Sequence, residues 1–111
     1  MIFSPGKAVL EITSGELQGQ RFPLGGSMSQ LVALGREVKG TGDIKFTPKS
    51  SFVSRRHAEI KFQDDKLFVT DLGSSSGTKL NGARLPANTP TEIKVGDKLE
   101  VADIKAEVKE P

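Results

Sequence analysis

The feature that most restricts the fold of this chain is the recurrence of short β-forming runs, each ended within a few residues by a turn signal, with no window that sustains a helical period. Ala8 to Thr13 reads AVLEIT and stops at Ser14-Gly15; the chain returns through Gln20-Arg21-Phe22-Pro23-Leu24 to a second break at Gly25-Gly26, which predicts a hairpin. Gln30 to Leu34 runs into Gly35, a glycine-rich loop extends through Lys39 to Gly42, and Ile44-Lys45-Phe46 makes a short alternating piece before Pro48. Ala58 to Gln63 (AEIKFQ) and Leu67 to Asp71 (LFVTD) flank Asp64-Asp65 and form the clearest hairpin. Between Lys79 and Leu85, Asn81-Gly82 is the strongest local signal for a tight primed turn. The end repeats the pattern with Thr91-Glu92-Ile93, a Gly96-Asp97 turn, Leu99-Glu100-Val101 and Ile104 to Val108. About ten or eleven short strands of this kind predict an all-β sandwich or barrel.

The 111 residues suit one domain, and the apolar residues, 35% of the total, are spread evenly enough to enclose a modest core from about residue 8 to 108. There is no cysteine and one histidine, His57, which excludes disulfide frameworks, thiol nucleophiles and nearly all zinc sites; neither a metal nor a cofactor is expected. No apolar run has the length of a membrane span and the N-terminus lacks a signal-peptide order, so a cytoplasmic setting is the expectation. The charged Lys109-Glu110-Pro111 end suggests a module of a longer protein. Sixteen basic against fourteen acidic residues give a charge of +2, which suits an anionic partner without naming one.

A scaffold of short strands leaves chemistry to its loops. Three are unusual. Leu34-Gly35-Arg36-Glu37 presents an arginine at a strand end, where its planar fork could take a phosphoryl group; alone, it also fits a solvated arginine beside Glu37. Ser54-Arg55-Arg56-His57 sets a hydroxyl and two guanidiniums before a strand, a sensible phosphate clamp or an ordinary basic turn. Asp71-Leu72-Gly73-Ser74-Ser75-Ser76-Gly77-Thr78 is a loop of small residues whose amides and hydroxyls can approach a ligand closely.

In order, Gly35-Arg36, Ser54-x-x-His57, the DLGSSSGT stretch and Asn81-Gly82 resemble the forkhead-associated (FHA) domain, and the resemblance runs from about Ala8 to Val108. It implies a β-sandwich of two mostly antiparallel sheets with binding loops at one apex, and a function in binding phosphothreonine-containing proteins, with a Ser/Thr kinase upstream. Arg36 and Ser54 would hold the phosphate, Arg55 would face the phosphopeptide, and Ser75 and Ser76 match loop positions that contact phosphate and peptide backbone. Gly35, His57, Gly77, Thr78, Asn81 and Gly82 match positions that shape the loops. The family usually carries Asn where Ser76 stands, which implies a weaker or rearranged grip on the residues around the phosphate.

Gly73-Ser74-Ser75-Ser76-Gly77 fits the Gly-x-Ser-x-Gly pattern of serine hydrolases, but that elbow needs a following helix and a later histidine, and His57 precedes it; no enzyme is expected. Phe is the only aromatic type and no stacking array is visible, so nucleic acid is not the expected partner. The rival reading is a domain of the same fold that binds a protein without phosphate. Pairing of edge strands between copies belongs with it, because the sequence does not show how the outer strands are protected.

Overall fold

Inward-facing apolar residues at every second position are what assemble the observed architecture. The computed structural model describes residues 8–25, 31–40, 42–50 and 52–111; Gln30 and the second glycine of Gly25-Gly26 lie outside them. Among the described residues there are eleven strands: β1 (Ala8–Ile12), β2 (Arg21–Leu24), β3 (Leu31–Gly35), β4 (Ile44–Lys45), β5 (Ala58–Gln63), β6 (Lys66–Asp71), β7 (Thr78–Leu80), β8 (Ala83–Arg84), β9 (Thr91–Ile93), β10 (Lys98–Val101) and β11 (Ile104–Lys109). One sheet has the order β2-β1-β11-β10-β7-β8 and the other β4-β3-β5-β6-β9, antiparallel except for the β3–β4 pair.

Ala8, Leu10 and Ile12 of β1 and Ile104, Ala106 and Val108 of β11 point inward from the first sheet. Val32 and Leu34, Ile60, and Leu67 and Val69 meet them from the second. Loop residues Phe46 and Val53, both fully buried, close the core beneath the β4–β5 connection. Each such side chain contributes about 1.5–3 kcal/mol on burial, so the loops leave a firmly packed base.

Asp64-Asp65 and Asn81-Gly82 both adopt positive φ in two-residue turns, as primed hairpin turns require. The Gly96-Asp97 turn differs from the expected pattern of successive pairs. β9 pairs with β6 and β10 with β7 and β11, so this turn carries the chain from one sheet to the other. The β10–β11 hairpin turns instead at Ala102-Asp103.

Candidate functional site

β3 and β5 are paired from Leu31 opposite Lys61 to Leu34 opposite Ala58. Backbone bonds then continue into the loops. His57 N donates to Leu34 O at 2.8 Å, Arg36 N to Ser54 O at 3.2 Å and Glu37 N to Arg55 O at 2.9 Å, which sets Arg36 beside Ser54 and Arg55. Gly35 makes this approach possible, since a Cβ there would lie 2.2 Å from the Arg55 carbonyl oxygen. The Arg36 side chain is fixed at its neck, where Nε donates to Val53 O at 2.6 Å. The two terminal nitrogens of the fork find no partner among the described residues and stay available to an anion.

His57 is fully buried under this loop. Its Nδ1 accepts from Ser54 N at 3.0 Å and its Nε2 donates to Gly77 O at 2.8 Å, a pattern that needs the neutral ring with the proton on Nε2. Burial pushes its pKa below the ordinary value and outweighs the opposing pull of the Gly77 carbonyl and Asp71. One imidazole thus bolts the loop before β5 to the loop before β7.

That second loop is folded around Asp71. The inward alternation Leu67, Val69, Asp71 places a carboxylate where an apolar group is expected, at 3% exposure. The next seven residues satisfy it: Gly73 N and Ser74 N donate to Oδ2 at 3.1 Å each, and Ser74 Oγ and Thr78 Oγ1 donate to Oδ1 at 2.5 and 2.7 Å. Burial alone would raise the pKa of this carboxyl, but the bonds from Ser74, Thr78 and Gly73 hold it below its usual value. Ser74 Oγ also accepts from Gly77 N at 3.0 Å, and Gly77, at φ +85°, turns the chain into β7. Ser75 and Ser76 are left exposed at the tip. Ser75 N points at Ser54 Oγ across 3.4 Å, where the two loops meet.

The three loops therefore converge at one apex, with Arg36, Ser54, Arg55 and Ser75 together, Ser76 adjacent, and His57, Gly77 and Thr78 beneath. Asn81 and Gly82 are not part of it. They turn the chain at the opposite end of β7, where Asn81 Nδ2 donates to Asp97 Oδ1 at 3.1 Å and Lys98 N donates to Asn81 Oδ1 at 2.9 Å. Asp71 and Ser74 were not singled out as structural anchors from sequence, although a carboxylate at an inward strand position followed by small donors at short spacing is a legible sign of such a hub. Glu37 is a second addition: its carboxylate lies 3.5 Å from Arg55 Nε, both side chains being exposed.

A guanidinium fork, the hydroxyls of Ser54, Ser75 and Ser76 and a backbone amide gathered at one apex are suited to capturing an anion. Among the described residues no group of three or more His, Cys, Asp or Glu could hold a metal ion, and no helix is long and apolar enough to cross a membrane.

Comparison with known proteins places the fold and these motifs together. The chain is 33% identical over 90 residues to the FHA domain-containing protein FhaB of Mycobacterium tuberculosis, a match that covers 76% of this chain and 54% of FhaB; the chain thus spans about half the length of that relative. The solution structure of the FHA domain of an Arabidopsis thaliana hypothetical protein superposes with a TM-score of 0.78 at 23% identity, covering 98% of this chain and 90% of that one. EmbR of M. tuberculosis, solved in complex with a low-affinity phosphopeptide, superposes with a TM-score of 0.75 at 24% identity over 94% of this chain and 24% of EmbR. At such identities the two structures speak to the fold alone. The sequence model of the FHA domain matches residues 32–102, the span that runs from β3 through all three apical loops to the β10–β11 turn, and the chain is accordingly a member of the FHA domain family.

Proposed function

We propose that the apex binds a phosphothreonine-containing segment of another protein, so that the chain acts as a recognition module in signalling or assembly downstream of a Ser/Thr kinase. The observation that carries this reading is the state of Arg36, whose Nε is locked to Val53 O while the rest of its fork has no partner among the described residues, on a loop bonded through Arg36 N to Ser54, whose hydroxyl meets the Ser75 amide. Phosphothreonine brings about −1.5 to −2 charge and three acceptor oxygens, which match these donors, whereas an unmodified threonine brings neither. Arg36 and Ser54 take the phosphate, Arg55 and Ser75 add a charge and a donor at its edge, and Ser76 faces the peptide backbone. Because the loops are held by His57 and Asp71, little ordering entropy is spent on the protein side.

The reading is of a binding module and not of an enzyme. Ser75 leads into β7 rather than a helix, and both His57 nitrogens are already engaged, so no base serves that serine. A single module operating in the cytosol as part of a longer protein fits the same picture. A second reading, partner binding by the same fold without phosphate, is favoured only by Ser76 standing where the family usually has Asn; binding that survives phosphatase treatment of the partner would support it.

The test is isothermal titration against a degenerate phosphothreonine peptide pool, with the unphosphorylated pool and Arg36→Ala as controls. Binding should require the phosphate, and Arg36→Ala should cost about 2–5 kcal/mol. Undiminished binding by Arg36→Ala would remove the phosphate-pocket assignment.

A further inference from the structure

The apical site shares Arg55 with a second concavity, an open cavity of about 580 Å³ on the far side of Glu37. Its charged lining is Lys39, Arg55, Arg56, Glu37 and Asp43. Both carboxylates have partners but keep their charge, so the lining carries three positive charges against two negative. Asp43 Oδ1 accepts from Ala33 N at 2.9 Å and Oδ2 from Gly40 N at 2.7 Å, which closes the β3–β4 loop, and Glu37 pairs with Arg55. Lys39 and Arg56 are exposed and have no carboxylate partner among the described residues. Val38, the one large apolar residue of the lining, is buried at 4% exposure, so the exposed ends of the larger lining side chains are charged. Its position is rigid relative to Arg36, because Glu37 N bonds Arg55 O and Gly35 packs on that same carbonyl.

We propose that this cavity receives an acidic side chain of the ligand, at a position flanking the phosphothreonine, and that Lys39 and Arg56 determine this preference. The proposal rests on the phosphothreonine reading above and adds to it the chemistry of the neighbouring residue. A ligand carboxylate entering the cavity meets two uncommitted cations. When the phosphate draws on Arg55, Glu37 loses its partner and becomes a local repulsion that the Lys39 and Arg56 charges offset. The peptide class selected is therefore a phosphothreonine with Asp or Glu nearby, and a basic residue at the same position is disfavoured.

The experiment is titration of the wild-type chain with a set of singly phosphorylated peptides in which Asp, Ala or Lys is placed in turn at each flanking position. One position should show Asp binding about two- to fivefold more tightly than Ala, the range for exposed charge pairs, and Lys more weakly than Ala. In the double variant Lys39→Gln/Arg56→Gln the ratio of Asp to Ala affinities at that position should fall to about one, while phosphate dependence is retained. Both residues are exposed, so the fold is not at stake. Phosphate-dependent binding with equal Asp and Ala affinities at every position overturns this proposal alone, as does a preference that survives in the double variant. Failure to bind any phosphopeptide overturns the phosphothreonine reading and this one with it.

Discussion

Asp71→Asn is the substitution that most directly tests how the apical loop is held. The carboxylate accepts two hydroxyl bonds, from Ser74 and Thr78, and two amide bonds, from Gly73 and Ser74, at a site nearly closed to solvent. Asn has the same shape and keeps one acceptor oxygen, so it can retain the amide pair and must meet the two hydroxyls with an NH2 group. A hydrogen bond to a charged group contributes about 1.5–3 kcal/mol and a neutral one about 0.5–1.5 kcal/mol, so two weakened bonds cost about 2 kcal/mol. In urea that lowers the unfolding midpoint by about 1 M for a slope near 2 kcal/mol/M. The chain has neither Trp nor Tyr, so circular dichroism is the natural probe. The pH dependence supplies a second reading. The Asp71 pKa is lowered in the folded state, so its stabilisation is complete above the unfolded value of about 3.9 and is lost as pH falls through it toward the folded value. The gap between wild type and Asp71→Asn should be full at neutral pH and shrink in acid. Equal midpoints at neutral pH, or a gap that widens on acidification, would refute the account of the hub.

Three further outcomes follow from the same geometry. Gly35→Ala drives a methyl against the Arg55 carbonyl and should destabilise the fold by about 1–3 kcal/mol and weaken phosphopeptide binding more than Ala33→Gly does, measured by denaturation and titration. Ser76→Asn restores the amide usual in the family at an exposed tip position and should tighten binding of a given phosphopeptide roughly two- to tenfold, one net hydrogen bond; unchanged or weaker binding would contradict that. His57 is the only histidine, so its ring resonances report one group, and they should titrate below 6.5; because the folded pKa is lowered, this residue's contribution to stability is full above the unfolded value and declines as pH drops below it.

Strand positions were legible in the sequence wherever alternation and a turn residue agreed. AEIKFQ, Asp64-Asp65 and LFVTD mark β5, its turn and β6, and Asn81-Gly82 marks the β7–β8 turn, because in both cases the constraint is local. The exchange of sheets between β9 and β10 was not legible. Gly96-Asp97 has the composition of a hairpin turn, but Ile93 pairs across from Leu67 in one sheet and Leu99 across from Leu80 in the other, partners far away in sequence that no local turn signal reveals. Ala102 gave no warning either, since alanine is disfavoured at the positive φ it adopts there. In the site, Arg36, Ser54 and Ser75 were marked by residue type and order, and the loops do bring them to one apex. The role of Asp71 was legible only by setting its inward strand position and the small donors after it above the usual exposure of a carboxylate, and the Glu37–Arg55 pair and the cavity beyond it depend on side-chain placement that no motif encodes.

The central claim is that a phosphothreonine peptide is bound at this apex, and amide chemical-shift mapping tests it most directly. On titration of the 15N-labelled chain with a phosphothreonine peptide, the account expects shifts at Arg36, Ser54, Arg55, Ser75 and Ser76, with Asn81 and Asp97 at the far turn unmoved and no response to the unphosphorylated peptide. Shifts confined to a sheet face or an edge strand, or the same shifts with and without phosphate, would contradict it.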